Sequence, residues 1–261
     1  MPIITLTTDL GTVDHYVSAV KATIIRQLEN VNIIDISHDI PTFNIIHAAF
    51  VLKNVYQDFP SGTIHIIGVN TETDKDCSHL IVYANEHYFI GSDNGIFSLI
   101  LDLKPDKIFE ITTASDSDNE NFPIKDIFAK SACHIARGGM LEIIGTEIKQ
   151  FSKEFAKLEA LHKKNSIIGS IIHIDHYGNA ITNISQRLFK DVAKGRAYTI
   201  NLGNKGHYSI DSIKRKYNEV QAGDALALFI STGLLSISIN NGSATSLMGL
   251  NINDTVRIEF K

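Results

Sequence analysis

The sequence predicts an α/β N-terminal domain, with a mostly parallel sheet and helices on both faces, followed by a C-terminal all-β barrel domain. In residues 1–160, apolar β-branched runs alternate with segments whose apolar residues recur at helical spacing. In residues 161–261, short β-type runs follow one another with Gly, Asn and Asp turns and little helix. The charged segment 150–166 has no strand pattern, and we place the domain boundary within it, at residue 160.

The elements of the N-terminal domain alternate along the chain. Strands are predicted at residues 3–7, 31–37 and 62–70, and a hairpin that turns at Asn85 is predicted at residues 79–91. Helices are predicted at residues 16–28, at residues 45–55 after Pro41, after the turn Asp93-Asn94-Gly95, and at residues 126–137 before Gly138-Gly139. This alternation indicates parallel pairing, because a crossover helix returns the chain to the edge where the next strand begins.

The C-terminal domain shows mainly strand signals. Strands are predicted at residues 167–175, 180–184, 197–202, 225–230, 234–239 and 255–260. The bend Tyr177-Gly178-Asn179 separates the first two of these strands and indicates a hairpin.

Composition limits the classes of function. The chain has 261 residues, of which 44% are hydrophobic and 20% charged, so a packed core is expected. The net charge of -5, without a Lys/Arg run, argues against nucleic-acid binding. No apolar run approaches the roughly 18 residues of a membrane span. The chain starts without a basic and apolar leader, and its two cysteines suggest no disulfide framework, so we expect a cytoplasmic protein. No metal, phosphate-loop or serine-nucleophile motif occurs, and we expect no cofactor.

Asp9 is the first candidate for a functional residue. It directly follows the first predicted strand, and ligands in open α/β sheets bind beyond the carboxyl ends of the strands. A plain capping role is the simpler alternative, and Asp14 can be explained as a first-turn carboxylate that the helix dipole favours. A strand followed by Asp and Gly also begins several metal-dependent phosphatases, so a phosphatase that uses Asp9 and Asp14 is a further alternative.

The bend at residues 175–179 groups three side chains with different chemistry. Asp175 is an acid in an apolar strand, and burying it without a partner costs several kcal/mol, so an ammonium group or backbone N–H groups should face it. Tyr177 offers a ring for stacking, and Asn179 offers both a donor and an acceptor, as the edge of an adenine requires. These residues suggest a small zwitterionic or aromatic ligand. The alternative is an Asx-type turn with a surface tyrosine.

Seven segments resemble the S-adenosylmethionine hydroxide adenosyltransferases, a family that also contains the fluorinases and chlorinases. These segments include "TLTTDLGTVDHYVSAVKATI" and "IDHYGNAITNI". They lie at residues 5–24, 36–52, 59–70, 88–98, 121–139, 174–184 and 231–250. Their order and spacing together are far more specific than any single segment, and they cover nearly the whole chain.

The resemblance implies a fold, an assembly and a set of contacts to S-adenosylmethionine. It implies a homotrimer in which each ligand lies between the N-terminal domain of one chain and the C-terminal domain of the next, without a metal. The implied ribose contacts are Asp9, which binds both hydroxyls, and Phe122, which lines the pocket. The other implied contacts are Asp175 to the methionine ammonium, Tyr177 and Asn179 to adenine, Ser231 with Thr232 to the methionine carboxylate, and the backbone near Asn241 to the adenine amino group.

The chain departs from the family pattern at the positions that orient water. Hydrolytic members usually carry an Asp, an Arg and a His where this chain has Asn70, Cys77 and Pro123. Halogenating members carry Tyr at the position of Asn70 and a small residue at that of Ile124, so a halide site is not expected. In the loop at residues 71–79, the candidates to replace the missing groups are Asp74, Asp76 and His79.

Two functions therefore remain open beside the phosphatase. The first is hydrolysis of S-adenosylmethionine to adenosine and methionine by displacement at C5′, slow if the usual water-orienting set is needed, with Asn70 in its place. The second is a trimer that binds S-adenosylmethionine or adenosine without turning it over.

Overall fold

A computed structural model describes residues 1–72, 77–112, 121–203 and 208–261. The chain divides into two compact units, Met1–Ala156 and Lys157–Lys261. This division falls inside the charged segment 150–166, in which the sequence analysis placed the boundary at residue 160. Within the described ranges, no helix has the length and apolar character needed to cross a bilayer.

The N-terminal unit is built on a seven-stranded sheet. Its strands are β1 (Ile3–Thr8), β2 (Asn32–Ser37), β3 (Ile64–Gly68), β4 (His79–Ala84), β5 (His87–Ser92), β6 (Lys107–Ile111) and β7 (Gly145–Ile148). Their order is β2-β1-β3-β5-β4-β6-β7. The pairs β1–β2, β1–β3 and β3–β5 are parallel, whereas β4 is antiparallel to both β5 and β6, and β6 is antiparallel to β7. All strands except β4 and β7 therefore run in one direction, which confirms the mostly parallel sheet.

Helices cover this sheet from both sides. They are α1 (Tyr16–Gln27), α2 (Ile45–Lys53), α3 (Ile96–Ile100), a π-helical turn (Ile124–Phe128) that continues as α4 (Ala129–Ala136), and 3-10 turns at Tyr56–Asp58 and Leu141–Ile143. One buried cluster joins α1 and α4 to the strands, with Val20, Ile24, Phe128 and Ala132 among its members. A second cluster joins α2 and α3 to the strands, with Ala48, Leu52, Ile96 and Phe97 among its members. Two separate clusters arise because alternate strand residues point to opposite faces.

The predicted hairpin and two unpredicted strands complete this unit. Asn85 and Glu86 connect β4 to β5 with φ values of 51° and 63°, the pattern of a two-residue type I′ turn. The strand β6 and the edge strand β7 were not predicted from the sequence. The predicted helix at residues 126–137 begins earlier, because the π-helical turn starts at Ile124.

The C-terminal unit is a nearly closed, barrel-like sheet, as predicted. Its strands are β8 (Leu161–Lys163), β9 (Ser166–Ile174), β10 (Ala180–Ser185), β11 (Tyr198–Leu202), β12 (Ser209–Ile210), β13 (Ile213–Lys214), β14 (Ala225–Phe229), β15 (Leu234–Ile239) and β16 (Thr255–Phe260). Their order is β12-β11-β16-β9-β10-β15-β14-β13, with β8 on β9. Only Asp211 and Ser212 separate β12 from β13, so the two ends of this path meet.

Two short helices interrupt the strands of this unit, α5 (Gln186–Ala193) and α6 (Ala244–Met248), together with a 3-10 turn at Tyr217–Glu219. Serines cap both helices: Ser185 Oγ accepts from the Leu188 N–H at 3.1 Å, and Ser243 Oγ accepts from the Ser246 N–H at 3.2 Å. Such capping is the usual start signal of a helix. It was present in the sequence before both helices, neither of which was predicted.

Candidate functional site

Asp9 lies where the parallel strands β1 and β3 end. Thr8 and Gly68 are register partners at the ends of these strands, and the Asp9 N–H donates to the Gly68 carbonyl oxygen at 3.4 Å. Asn70 lies two residues beyond Gly68, with a φ of 51°. The structure therefore places Asp9 and Asn70 on adjacent strand ends, where ligands of open α/β sheets bind. We call this region the Asp9 edge.

The carboxylate of Asp9 has one engaged oxygen. Its Oδ2 accepts from the backbone N–H of Phe43 at 2.8 Å. Among the described residues, Oδ1 accepts no hydrogen bond, and the side chain is partly exposed. Asp9 therefore has acceptor capacity for a ligand hydroxyl.

Phe43 is the residue at the Asp9 edge that the sequence analysis missed. Its φ of 64° is in the left-handed region, and its side chain is 67% exposed. Non-glycine residues held in this region often lie at functional sites, and the strain costs about 1–3 kcal/mol. Asn44 follows and caps α2 by accepting from the His47 N–H at 2.9 Å. The sequence pattern gave the helix start but gave no sign of the positive φ.

The π-helical turn adds Phe122 and Ile124 to the Asp9 edge. A Cβ at Gly68 would lie 2.6 Å from Ile124 Cδ1 and 3.1 Å from Thr8 Cγ2, so both side chains pack against the end of β3. Phe122, directly before this turn, is half-buried and packs edge-on against Tyr16 with ring centroids 5.5 Å apart. Lys125 Nζ lies 6.0 Å from the centroid of the Phe122 ring. π-Helical turns are often found at functional sites.

The bend at residues 175–179 satisfies its own carboxylate. Asp175 Oδ1 accepts from the N–H groups of Tyr177 at 3.0 Å and Asn179 at 2.9 Å, and its Oδ2 accepts from Asn179 Nδ2 at 2.8 Å. The sequence predicts either an ammonium group or backbone N–H groups opposite Asp175. Within the chain, the backbone groups and the Asn179 amide fill that role in an Asx-type turn. We call this feature the Asp175 bend.

The Asp175 bend lies beside the loop that contains Asn241. The Gly178 carbonyl accepts from the Thr245 N–H at 3.1 Å, and a Cβ at Gly178 would lie 2.1 Å from Ser243 Oγ. Asn241 is exposed with a φ of 53°, and the Tyr177 side chain is 76% exposed. The structure therefore brings a carboxylate, an accessible aromatic ring and the backbone near Asn241 to one end of the barrel-like sheet.

Ser231 and Thr232 lie elsewhere in the same unit. They are exposed in the hairpin turn between β14 and β15, which the Gly233 N–H closes on the Ile230 carbonyl at 2.9 Å. Asn241 follows the other end of β15, and this six-residue strand spans about 17 Å. Within one chain, Ser231 therefore does not lie next to the Asp175 bend. The ammonium and the carboxylate of methionine are bonded to the same carbon atom, so residues that bind these two groups should lie close together.

Comparisons with known proteins match both units. Residues 4–145 match the SAM hydroxide adenosyltransferase N-terminal domain, and residues 169–257 match the corresponding C-terminal domain. The chain belongs to the SAM hydroxide adenosyltransferase family. SAM here is S-adenosylmethionine, and the family resemblance predicted from the sequence is thereby confirmed.

Three relatives show how far the similarity extends. The chain is 30% identical over 272 residues to an (R)-S-adenosyl-L-methionine hydrolase of Methanocaldococcus jannaschii, covering 100% of this chain and 97% of the relative. It is 21% identical to a fluorinase of Actinopolyspora mzabensis, with 98% and 97% coverage. A crystal structure of an uncharacterized conserved protein from Thermotoga maritima superposes with a TM-score of 0.87 at 26% identity, with 98% and 99% coverage.

Two of the three departures from the pattern that the resemblance implies, Asn70 and Pro123, lie at or beside the Asp9 edge. The Asn70 carbonyl accepts from Asn94 Nδ2 at 3.0 Å, which fixes the backbone and leaves the side chain at the strand end. Pro123 precedes the π-helical turn, and Cys77 is a partly exposed free thiol. A carboxamide, a proline ring and a thiol thus stand where the resemblance implies two charged groups and a histidine.

The proposed replacements in the loop at residues 71–79 divide into two groups. Asp74 and Asp76 lie outside the described residues. His79 begins β4, with its Nδ1 3.2 Å from Ser92 Oγ and its ring edge-on to Phe128 at 5.1 Å between centroids. Burial lowers the pKa of His79, so its ring is neutral at neutral pH.

The described residues do not support the metal-dependent phosphatase. Across residues 1–72, 77–112, 121–203 and 208–261, no group of three or more His, Cys, Asp or Glu side chains converges as metal ligands would. Asp9 instead accepts from the Phe43 N–H, and Asp14 is exposed before α1.

Proposed function

We propose that the chain catalyses hydrolysis of SAM to adenosine and methionine. The observation that carries this proposal is the 30% identity to a protein named (R)-S-adenosyl-L-methionine hydrolase over the full length of this chain. The Asp9 edge adds chemistry that suits the ribose of this substrate, and the Asp175 bend adds chemistry that suits its adenine and its ammonium group. No cofactor is required, because the leaving group carries its own activation.

The proposed reaction is a single displacement at C5′. A water oxygen approaches C5′ opposite the sulfur, the C5′–O bond forms, and the C5′–S bond breaks. The bonding electron pair returns to the sulfonium, which leaves as the neutral thioether of methionine, and the water proton passes to solvent. The protein has to hold water and carbon in line and exclude other solvent, and such positioning is a large part of catalysis.

We propose that the Asp9 edge holds the ribose. Asp9 Oδ1 has acceptor capacity for the ribose hydroxyls, while its Oδ2 stays bonded to the Phe43 N–H. Phe122 lines the same pocket, with its ring fixed by Tyr16. This division of labour keeps the carboxylate in one orientation, so its free oxygen loses little side-chain entropy on binding.

We propose that the Asp175 bend holds adenine and the methionine ammonium. Asp175 uses three of its roughly four acceptor positions internally, which leaves one on Oδ2 for an ammonium N–H. Tyr177 stacks on adenine, Asn179 bonds the purine edge, and the backbone near Asn241 meets the adenine amino group. Ser231 and Thr232 remain the proposed carboxylate contacts, and the separation along β15 makes their assignment the first to test.

We propose that Asn70 orients the attacking water. Asn70 follows the end of β3 by two residues, and Gly68 at that end packs against Ile124 and Thr8. An amide orients water but accepts its proton poorly, and loss of an oriented acid or base commonly lowers the rate by ~10²–10⁴-fold. We therefore expect slow turnover.

The proposed assembly is a cytoplasmic homotrimer in which the N-terminal unit of one chain and the C-terminal unit of the next complete each site. This proposal comes from the family resemblance. It accounts for the two groups of proposed ligand contacts, which lie on separate units. Light scattering on the purified protein measures the mass of the assembly directly.

The decisive experiment follows adenosine by chromatography after incubation with the separate R and S sulfonium epimers of SAM. Adenosine above the uncatalysed rate supports the proposal, and the relative's name makes the R epimer the expected substrate. Asp9→Ala is the matched variant that should remove the activity. Calorimetric binding of SAM or adenosine without adenosine production would instead identify a non-catalytic binding protein.

A further inference from the structure

His38 is a buried histidine whose two ring nitrogens both face polar side chains. It directly follows β2 and is 6% exposed. Its Nδ1 lies 2.7 Å from Oγ1 of Thr8, the last residue of β1. Its Nε2 lies 3.1 Å from Asp35 Oδ1 without forming a hydrogen bond, so the attraction between the two groups is electrostatic. A buried polar ring is costly without partners, and the Thr8 hydroxyl and the nearby carboxylate offset part of that cost.

The polar contacts of His38 form a series that runs from Asp35 through His38 and Thr8 to Leu10. Asp35 also forms an ion pair with Lys21, at 2.5 Å between Oδ2 and Nζ. A carboxylate only accepts, so a ring proton on Nε2 faces Asp35, and in that tautomer Nδ1 accepts from the Thr8 hydroxyl. Thr8 Oγ1 then accepts from the Leu10 N–H at 3.4 Å. The orientation of each group thus depends on its neighbour, from Asp35 to Leu10.

His38 contacts the Asp9 loop on both sides of Asp9. Its side chain contacts Thr8, the residue before Asp9. Its carbonyl oxygen accepts from the N–H of Gly11, two residues after Asp9, at 2.9 Å. Gly11 has a φ of 67°, so the chain turns sharply at this point. One buried residue therefore fixes both ends of the four-residue segment that carries the Asp9 carboxylate.

A nucleophilic role for Thr8 is the competing explanation of a Thr–His–Asp arrangement. Such a nucleophile has to reach the substrate. Thr8 is only 1% exposed, and its methyl group packs toward Gly68. The hydroxyl is therefore unavailable to a substrate, and the arrangement serves the position of the loop.

We propose that His38 is a positioning residue, which orients the Asp9 carboxylate toward the ligand through Thr8 and Gly11. The ligand part of this inference rests on the proposed function. The structural part, order in the Asp9 loop, does not, and the two parts have separate readouts.

Two substitutions at His38 separate its two nitrogens. The amide of Asn reaches the position of Nδ1, so His38→Asn keeps a partner for Thr8, whereas the amide of Gln reaches the position of Nε2 and leaves Thr8 without one. We expect His38→Gln to lower kcat/KM for SAM by roughly 10- to 100-fold, mainly through KM, because a small displacement of a binding group has effects of this size. His38→Asn should retain most of the wild-type value.

A second pair of variants guards against misfolding at His38. Thr8→Val removes the hydroxyl at nearly constant shape, and Thr8→Ser retains it. We expect Thr8→Val to behave like His38→Gln and Thr8→Ser to behave like wild type. Thermal unfolding of all four variants checks that each is folded at the assay temperature.

Hydrogen exchange at the Leu10 and Gly11 amides tests the loop without any ligand. We expect faster exchange at both amides in His38→Gln and Thr8→Val. In the matched variants His38→Asn and Thr8→Ser, exchange should equal that of the wild-type protein. Unchanged exchange and unchanged KM in all folded variants would overturn the proposal. If the wild-type protein neither binds nor converts SAM, the proposed function fails, and exchange alone then decides whether His38 orders the loop.

Discussion

Asp9 Oδ2 accepts the backbone N–H of Phe43 at 2.8 Å, which ties the end of β1 to a residue in the left-handed conformation. The two residues are 34 positions apart in sequence and belong to different loops. One carboxylate therefore has two tasks: its Oδ2 holds a strained loop, and its Oδ1 remains for a ligand.

These two tasks predict different results for two substitutions of Asp9. Asp9→Asn keeps an acceptor for the Phe43 N–H, so we expect its stability to stay near wild type. Asp9→Ala loses that bond and should lower the free energy of unfolding by about 1 kcal/mol. Both variants should lose most affinity for adenosine, because neither presents an anionic acceptor to the ribose. Urea denaturation and calorimetry measure the two effects, and full adenosine affinity in Asp9→Ala would exclude the ribose role.

Exchanging Asp175 and Asn179 separates the fold of the bend from its charge. The single variant Asp175→Asn keeps an oxygen for the two backbone N–H groups but replaces a charge-assisted bond by an amide–amide bond that requires the Asn179 amide to flip, and should lose about 1 kcal/mol of stability. The double variant Asp175→Asn/Asn179→Asp restores a donor and an acceptor and should regain most of that loss. It moves the charge away from the proposed ammonium position, so SAM binding should stay weak. Recovery of SAM binding in the double variant would show that Asp175 acts only in the turn.

The Asx-type turn at the Asp175 bend was one of two alternatives that the sequence offered, because its contacts are local, and a ligand at this bend stays a prediction. Asp175 bonds residues two and four positions further on, and Gly178 supplies the positive φ of 79°. Asx-type turns of this kind depend on a few adjacent residues. The same locality allowed the β4–β5 hairpin to be predicted from its turn.

The Asp9 edge was predictable only in part, because its contacts join distant segments. The position of Asp9 after a strand indicated a ligand site. Its bond to Phe43 depends on a left-handed φ that no local pattern marks, and the packing of Ile124 on Gly68 depends on the fold of the whole sheet. Ser231 was assigned to the methionine carboxylate by the resemblance alone, and that assignment stays a prediction.

Gly68 and Ile124 should behave as an interacting pair. A Cβ at position 68 would lie 2.6 Å from Ile124 Cδ1, so Gly68→Ala should cost about 1–3 kcal/mol by overpacking. Ile124→Ala should cost about 2–5 kcal/mol, because it leaves a cavity in the core. The double variant should be more stable than the sum of these losses predicts, since the new methyl group fills part of that cavity. Additive losses in denaturant unfolding would contradict the proposed contact.

The buried residue His65 should make the stability of the N-terminal unit sensitive to acid. It is fully buried, with Nε2 3.2 Å from His87 Nδ1 and Nδ1 2.8 Å from Thr5 Oγ1. Burial, with a smaller contribution from His87, lowers the pKa of His65 from 6.5 to about 3. The unfolded chain therefore binds the proton first, and stability that is complete above pH 6.5 is lost as the pH falls toward 3.

The variant His65→Gln removes this titration. Between pH 7 and pH 4 the wild-type protein should lose on the order of 3 kcal/mol that the variant does not lose, since each unit of pKa shift corresponds to about 1.4 kcal/mol. Denaturant unfolding at several pH values gives the difference in the free energy of unfolding between the two proteins. The carboxylates are the same in both proteins, so their titration cancels in this difference. Parallel pH profiles for the two proteins would show that His65 does not control acid stability.

Mixing two inactive variants tests whether each site is shared between subunits. Asp9→Ala damages the N-terminal half of a site, and Asp175→Ala damages the C-terminal half. In a trimer whose sites join the N-terminal unit of one chain to the C-terminal unit of the next, every mixed trimer contains one site with both halves intact. Co-refolding equal amounts of the two variants should therefore restore adenosine formation to roughly a quarter of the wild-type rate. About three quarters of randomly assembled trimers contain both variants, and each of these trimers has one intact site of three. Each variant refolded alone is the control. Light scattering must show the trimer mass in all three samples, and mixed trimers without recovered activity would mean that each chain completes its own site.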